Sequence, residues 1–503
     1  MNIFSPFLIF PLRKFSPFRD YVYYTLVDRN INFFDVSIGN EELRITGMQP
    51  YKLDSSTESG LIYPVILNRD FTTNQSVNHG RPQVTGANTY SLSVLTFLRT
   101  HSASILNTTV SASFVNSSGK LQYVRSNQPR FDRGRLNGIT IDTSAMVGLL
   151  MEPGRSNIAF HSTNFSSTSA PNSNVIFTPL ADIAPDSSTL SSTVSTNLNN
   201  TAILYLTGCN NGLINRRYTI SFFIKAPTIS TQFSFRQHPL HQGSTINFTF
   251  ERVVNAVELD RVIVLSRSNP TDKVYVEKYP PDDPFLPFSR WYRICYTTVA
   301  NANNARLWPG ISVFGGTRQF SIWGLQIEEG DTPTSYIPVN GFVGTRGADV
   351  LSLSGANLWS IYSSTPISNV TPNSATIYIE SRKKYLSETP ETLLQFTDRN
   401  LTTYNTIIYT TNSTNISSNL FNTNLLLNVA NTWVNTDVKT AFSYNNISKK
   451  ITLASDSRTT TGTTTNSIQL SGIQFGSNYS GHIRKLFIFP ESISTADLQI
   501  LTT

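Results

Sequence analysis

The chain has 503 residues, enough for several cores and for about two to four domains. Charge is sparse, with 39 Lys or Arg against 32 Asp or Glu, while Ser, Thr and Asn abound. The formal net charge of +7 comes without a dense basic block: Arg382, Lys383 and Lys384, like Lys449 and Lys450, read as short surface clusters. That pattern argues against a nucleic-acid channel, which needs a broader positive footprint.

The N-terminus places a short apolar run ahead of Arg13 and Lys14, the reverse of a secretory signal, and no stretch reaches the length of a membrane span. Neither membrane insertion nor a secretory route is expected; release by lysis of a producing cell fits instead. Phe4, Phe7, Phe10, Phe15 and Phe18, interleaved with prolines, predict an extended arm ordered by docking on a partner, because an exposed aromatic arm invites aggregation. Residues 1–100 are read as this arm and docking region, with strands at 21–26 and 31–38.

From residue 101 to 215 the pattern predicts a β-rich connecting region. A hairpin is expected over 114–123, where Asn116 to Gly119 can turn the chain between apolar flanks. Pro129, Arg130, Phe131 and Asp132 follow, then Gly148 to Asn157, with Pro153 and Gly154 as a turn. Residues 162–200, rich in Ser, Thr and Asn, read as surface loops around one or two strands, with 175–177 as the buried piece.

Residues 216–340 predict a first sandwich. Tyr218, Ile220, Phe222 and Ile224 share one side of a strand and Phe223 faces the other, and short aromatic strands continue through 232–235, 246–250, 261–265, 274–278, 291–298, 307–314 and 320–327. Trp291 reads as a core residue. In 320–327 strict alternation fails, which predicts apolar groups on both faces or a bulge near Gly324. Pro333 and Pro338 then hold the residues before them extended. Residues 341–349 are read as a linker, and 350–503 as a second sandwich in which the 374–380 strand repeats the 218 strand. A short terminal helix capped by Ser494 ahead of Leu498 is expected.

The ordered series Phe114 to Gly119, Pro129 to Asp132 and Gly148 to Asn157 resembles an opening segment of tail, fibre and head-appendage proteins of tailed bacteriophages. The run holding Trp323, Gly324, Glu328, Tyr336, Pro338 and Arg346 resembles a junction in the same proteins, and residues 479–498 resemble the end of concanavalin A-like and laminin G-like domains. Gly154 to Asn157 departs modestly from the usual alanine-arginine-threonine-asparagine ending, and residues 140–146 lengthen the approach. The resemblance implies an all-β fold of tandem concanavalin A-like jelly-roll sandwiches behind an irregular, β-rich N-terminal anchoring region. It implies a virion structural protein, in the tail in preference to the head, assembled in the host cytoplasm as a homo-oligomer with other virion proteins.

Within that reading a tail fibre or baseplate appendage would attach to host-surface polysaccharide. Sugar binding needs an exposed aromatic beside polar partners, and Tyr385, Tyr404 and Tyr409 are the candidates; Trp433 reads as core. A purely architectural head or tail decoration protein and a polysaccharide depolymerase are the alternatives. The depolymerase needs two carboxyl groups about 5–9 Å apart, yet Glu328 and Glu329 point oppositely on a strand, and Asp282 and Asp283 sit between prolines; no catalytic residue is assigned. No cofactor is required, although calcium would suit the family, with Asp398, Asp437 and Asp456 as candidates by type. His238 and His241 flank Pro239, which argues against a helical metal pair. Cys209 and Cys295 read as free, partly buried thiols, with one bridge as the alternative.

Overall fold

In a computed structural model the protein is all-β, with one short helix among the described residues. Those residues comprise forty strands from Phe34–Ile38 to Gly481–Phe489, the helix Thr495–Leu501 and adjoining connections, the longest unbroken stretches being 110–133, 147–163, 209–225, 319–339, 374–398 and 436–464. The aromatic arm at Phe4, Phe7, Phe10, Phe15 and Phe18 lies outside them, as do His238, His241, Asp282, Asp283 and Trp433.

Two antiparallel sandwiches form the bulk of the described chain. In the first, Arg217–Lys225 lies between Arg290–Val299 and Gln319–Glu329 in an eight-stranded sheet, which faces a five-stranded sheet containing Pro309–Phe314. Period-2 alternation decides what meets in between: Tyr218, Ile220, Phe222 and Ile224 pack with Ile294, Tyr296, Ile322, Ile327 and Ile311 in one core. Phe223 points away, as the sequence indicates, and joins Trp291 and Trp323 on the outer face of the same sheet. That face is closed by the hairpin Val110–Val115 and Leu121–Arg125, whose Val115 and Leu121 pack on the aromatic cluster. The hairpin turns where expected: the Gly119 amide donates to the Asn116 carbonyl at 3.0 Å, and Gly119 adopts φ +72°.

The second sandwich repeats the scheme. Ser374–Lys383 lies between Asp437–Asn445 and Gly481–Phe489, just as Arg217–Lys225 lies between its two partners. The facing sheet holds Val350–Ser354, Glu391–Asp398 and Leu470–Phe475, and Ile377, Ile379, Phe442, Ile488, Leu393, Ile473 and Phe475 fill the core between them. Each of these large side chains contributes about 1.5–3 kcal/mol by leaving water. On the outer face Leu498 and Leu501 of the terminal helix cover Tyr378, Phe487 and Phe489. Ser494 caps this helix, its hydroxyl accepting from the Asp497 amide.

Strand pairing runs across the boundaries expected from sequence. Val175–Ile183 and Leu190–Thr196 extend the first sandwich's larger sheet, so ladder structure begins well before residue 216. Gly148–Met151 instead pairs with Gly481–Phe489, Leu149 opposite Ile483, and thus belongs to a sheet of the second sandwich. Leu95–Leu98 adds to Val350–Ser354 in the opposite sheet. Arg155–Asn157 pairs with Gly344–Arg346, so the stretch read as a linker carries a ladder of its own.

One surface expectation is overturned. Arg382 and Lys383 are buried, at 7% and 1% exposure, because Ser374–Lys383 is a central strand whose far end meets Asp437 and Glu391. Lys384 turns toward Glu277 of the first sandwich, 3.1 Å away.

Candidate functional site

The segments singled out in the sequence meet in one place. Glu152, from the turn after Gly148–Met151, lies between Arg346 at 2.6 Å and Arg130 at 2.8 Å. Its other oxygen accepts from the Ser335 amide at 2.8 Å, while the Ser335 hydroxyl donates to the first at 2.6 Å. Arg130 also pairs with Asp349, which in turn holds Arg99 at 3.1 Å and accepts from the Glu152 amide at 2.9 Å. The Arg346 guanidinium donates to the Pro153 carbonyl at 2.9 Å. All five charged side chains are buried.

Burying this many charges costs several kcal/mol per ion, so the cluster is tolerable only because each ion has an opposite charge and hydrogen bonds. The electrostatics follow the packing. Burial alone would raise the Glu152 pKa, but Arg346, Arg130 and Ser335 outweigh it and hold the carboxyl well below the usual range. Burial likewise works against the Arg130 charge, and Asp349 with Glu152 overcomes it and holds its pKa above the ordinary value. Arg99 has less compensation: desolvation, partly offset by Asp349 and aided by the neighbouring arginines, brings it down to about 10.

A second set of polar contacts fastens the same junction to the strand Gln319–Glu329. Asn157 uses its whole amide: Nδ2 donates to the carbonyls of Ile337 at 2.7 Å and Leu325 at 3.2 Å, and Oδ1 accepts from the amides of Ile327 and Ala159. Gln326 accepts from the Ile337 amide at 2.6 Å, and Glu328 accepts from the Thr334 amide at 3.0 Å and its hydroxyl at 2.5 Å. Tyr336 donates to the Ser162 hydroxyl at 2.8 Å and packs its ring 4.5 Å from Trp323. Pro338 lies between Ile337 and Val339, both buried.

Gly324 makes this arrangement possible. It adopts φ +68° at a register shift in the pairing with Arg217–Lys225. The extra residue reverses the alternation, so Phe320, Ile322, Leu325 and Ile327 all face the first core while Trp323 faces the opposite cluster. Gln326 and Glu328 are thereby turned toward the 334–337 backbone. A Cβ at Gly324 would stand 2.7 Å from the Phe223 ring, which is why glycine sits there.

The candidates for sugar binding fare differently. Tyr385 is 1% exposed, and its hydroxyl donates to Glu277 in the first sandwich. It is a packing residue between the sandwiches and offers no platform. Burial raises its pKa, and Glu277 adds to the effect. Tyr404 and Tyr409 belong to the strand Tyr404–Thr410, but their side chains lie outside the described residues, as does that of Asp398. Asp437 is bonded to Arg382 at 2.6 Å and also to Arg484, and Asp456 occupies a positive-φ turn position. Among the described residues no three His, Cys, Asp or Glu side chains converge as metal ligands.

Glu328, Glu329 and the neighbouring Asp331 are tied into ion pairs or backbone. Glu328 is buried against Thr334, and Glu329 points outward to Arg216 at 3.3 Å. Asp331 joins the sandwiches, bonded to Lys273 at 3.2 Å, to the Ser387 hydroxyl at 3.1 Å and to the Glu388 amide. These contacts overcome the effect of burial and lower its pKa. Cys295 is a free, buried thiol, pushed up to about 12 by burial.

Beside Asp331 an open cleft of about 1100 Å³ runs between the sandwiches. Arg155, Arg216 and Arg217 line it together with Glu329 and Glu388. Sequence reasoning missed this cleft, and it missed Arg99 and Asp349; these positions lack a periodic signal, and only tertiary pairing brings them together.

No protein-family profile matches the chain, and no curated protein matches it. Among solved structures, the tripod from the baseplate of bacteriophage Tuc2009 is 14% identical over 67% of this chain and 97% of its own, with a TM-score of 0.22. Domains LG4-5 of the mouse laminin α1 chain are 9% identical over 67% of this chain and 96% of theirs, with a TM-score of 0.19. A sialidase from Trypanosoma rangeli is 6% identical over 62% of this chain, which spans 60% of the sialidase, with a TM-score of 0.24. Likenesses at this level carry no argument about function.

Proposed function

We propose that the chain is a non-enzymatic structural protein of a tailed-phage particle, built as a homo-oligomeric tail fibre or baseplate appendage that presents its sandwiches for attachment to host-surface polysaccharide. The observation that carries this reading is the convergence of Arg130, Glu152 and Arg346 in one buried cluster. Each comes from a different segment of the resemblance to phage structural proteins, and the packing gives all three a common physical purpose. Rigid joining of two sandwiches is what a projecting appendage needs, since a hinge would dissipate the orientation on which multivalent attachment depends. No calcium is required by this reading.

The test is direct. Purified particles produced with the gene intact should contain the chain at a fixed copy number, and imaging should place symmetric density for the two sandwiches on the tail. Absence of the chain from purified particles would refute the assignment, and density on the capsid would replace attachment with head decoration.

A further inference from the structure

The cleft between the sandwiches combines three kinds of surface that are seldom exposed together. Phe160, Leu213 and Val343 line it and are 42%, 48% and 54% exposed, so large apolar groups face solvent at its mouth. Arg155, Arg216 and Arg217 line it. Asn215, Asn478 and Thr389 add amides and a hydroxyl.

The arginines differ in how far they are committed. Arg217 is shared with Glu388 at 3.1 Å. Arg216 has a side chain 62% exposed and pairs with Glu329 at 3.3 Å, an exposed contact worth little in water. Arg155 lies over Gly330, 2.5 Å from where a Cβ would be, and its buried Nε lacks a hydrogen-bond partner. The exposed Arg216 guanidinium, held by one weak pair, suits a planar carboxylate, which it can bind in bidentate fashion.

We infer that this cleft binds a carboxylate-bearing oligosaccharide, a short stretch of an acidic polysaccharide. Exposed apolar side chains fit the C–H faces of sugar rings, amides and hydroxyls fit ring hydroxyls, and the arginines fit a uronic carboxylate. Glu329, Asp331 and Glu388 in the same cleft weigh against duplex nucleic acid, which carries one negative charge per about 1.7 Å of axis. An acidic glycan carries at most one carboxylate per sugar ring, with uncharged hydroxyls in between. The inference deepens the attachment role proposed above and moves it from the tyrosines of the second sandwich to the boundary between the two.

The experiment uses the full chain and three probes: a defined-length oligogalacturonate, an uncharged glucan of equal length, and double-stranded DNA, each titrated calorimetrically at two salt concentrations. Saturable binding of the oligogalacturonate alone is expected. Arg216→Ala and Phe160→Ser, both at exposed positions, should each weaken it by about tenfold, as loss of a charge-assisted hydrogen bond or an apolar contact implies, with an unchanged melting temperature. Equal binding of the glucan, tighter binding of DNA, wild-type affinity in both variants, or no binding of oligogalacturonate would overturn the inference. Presence of the chain on particles is measured separately, so failure at the cleft leaves the particle assignment standing, and absence from particles leaves a measured affinity standing.

Discussion

Glu152→Gln tests whether the buried cluster holds the two sandwiches together. The substitution conserves shape but removes the charge between Arg346 and Arg130, and it turns one acceptor oxygen into a donor facing either the Ser335 amide or the guanidinium and hydroxyl donors. Arg130 then shares Asp349 with Arg99, and Arg346 keeps only its hydrogen bonds to the Ser335 hydroxyl and the Pro153 carbonyl. Breaking a buried pair by removing one partner costs about 3–5 kcal/mol, a large part of the roughly 5–15 kcal/mol that stabilises a typical domain. Urea unfolding followed by tryptophan fluorescence is the assay, since Trp291 and Trp323 are both buried in the cluster beside the junction. The folded-state pKa of Glu152 lies below its ordinary value of 4.5, so its contribution is present above that pH and is lost as pH falls toward the folded value. The gap between wild type and variant should therefore be full at pH 7 and narrow in acid below about 4.5. A loss under about 1 kcal/mol, or one no larger than that of the exposed control Glu329→Gln, would refute the reasoning.

Two further outcomes follow from single positions. Gly324→Ala forces a Cβ to within 2.7 Å of the Phe223 ring at φ +68°, and a loss of about 1–3 kcal/mol is expected in thermal unfolding; an unchanged melting temperature would show that the bulge can relax. Because burial pushes the Cys295 thiol up to about 12, a Cys209→Ser variant should resist alkylation at pH 8 until denaturant is added, and equal rates with and without denaturant would contradict its burial.

What the sequence could express was local. The strand at Tyr218, the turn at Asn116 to Gly119, the bulge at Gly324 and the Ser494 cap each leave a signal within a few residues, as a period of two, a break in that period, or a side chain beside the amide it accepts from. Tyr385 shows where this fails. It follows Lys383 and Lys384, a context that reads as exposed, and its hydroxyl meets Glu277, 108 residues earlier in the chain. The same distance effect hid the role of Arg382, whose partner Asp437 lies 55 residues on. Arg130, Glu152 and Arg346 stood out as members of a resemblance, yet their common purpose emerged only when three distant segments met. Exposure of the cleft's arginines depends on how two sandwiches meet, which no periodicity encodes.

The pairing of Leu149 with Ile483, and of Asp132 with His482 across 350 residues, bears on how the molecule can be made and divided. A chain emerging from the ribosome displays Gly148–Met151 long before its ladder partner Gly481–Phe489 exists, so an early segment must wait, uncommitted, for the last strand. Closing contacts at such separation is slow, and the waiting species has an open edge. Premature termination anywhere in the second sandwich would thus strand residues near the beginning, and a fragment begun at residue 350 would lack Gly148–Met151 from one sheet and Leu95–Leu98 from the other. Preparing the second sandwich alone therefore calls for Leu95–Leu98 and Gly148–Met151 to be supplied with it, in the same chain or as separate peptides.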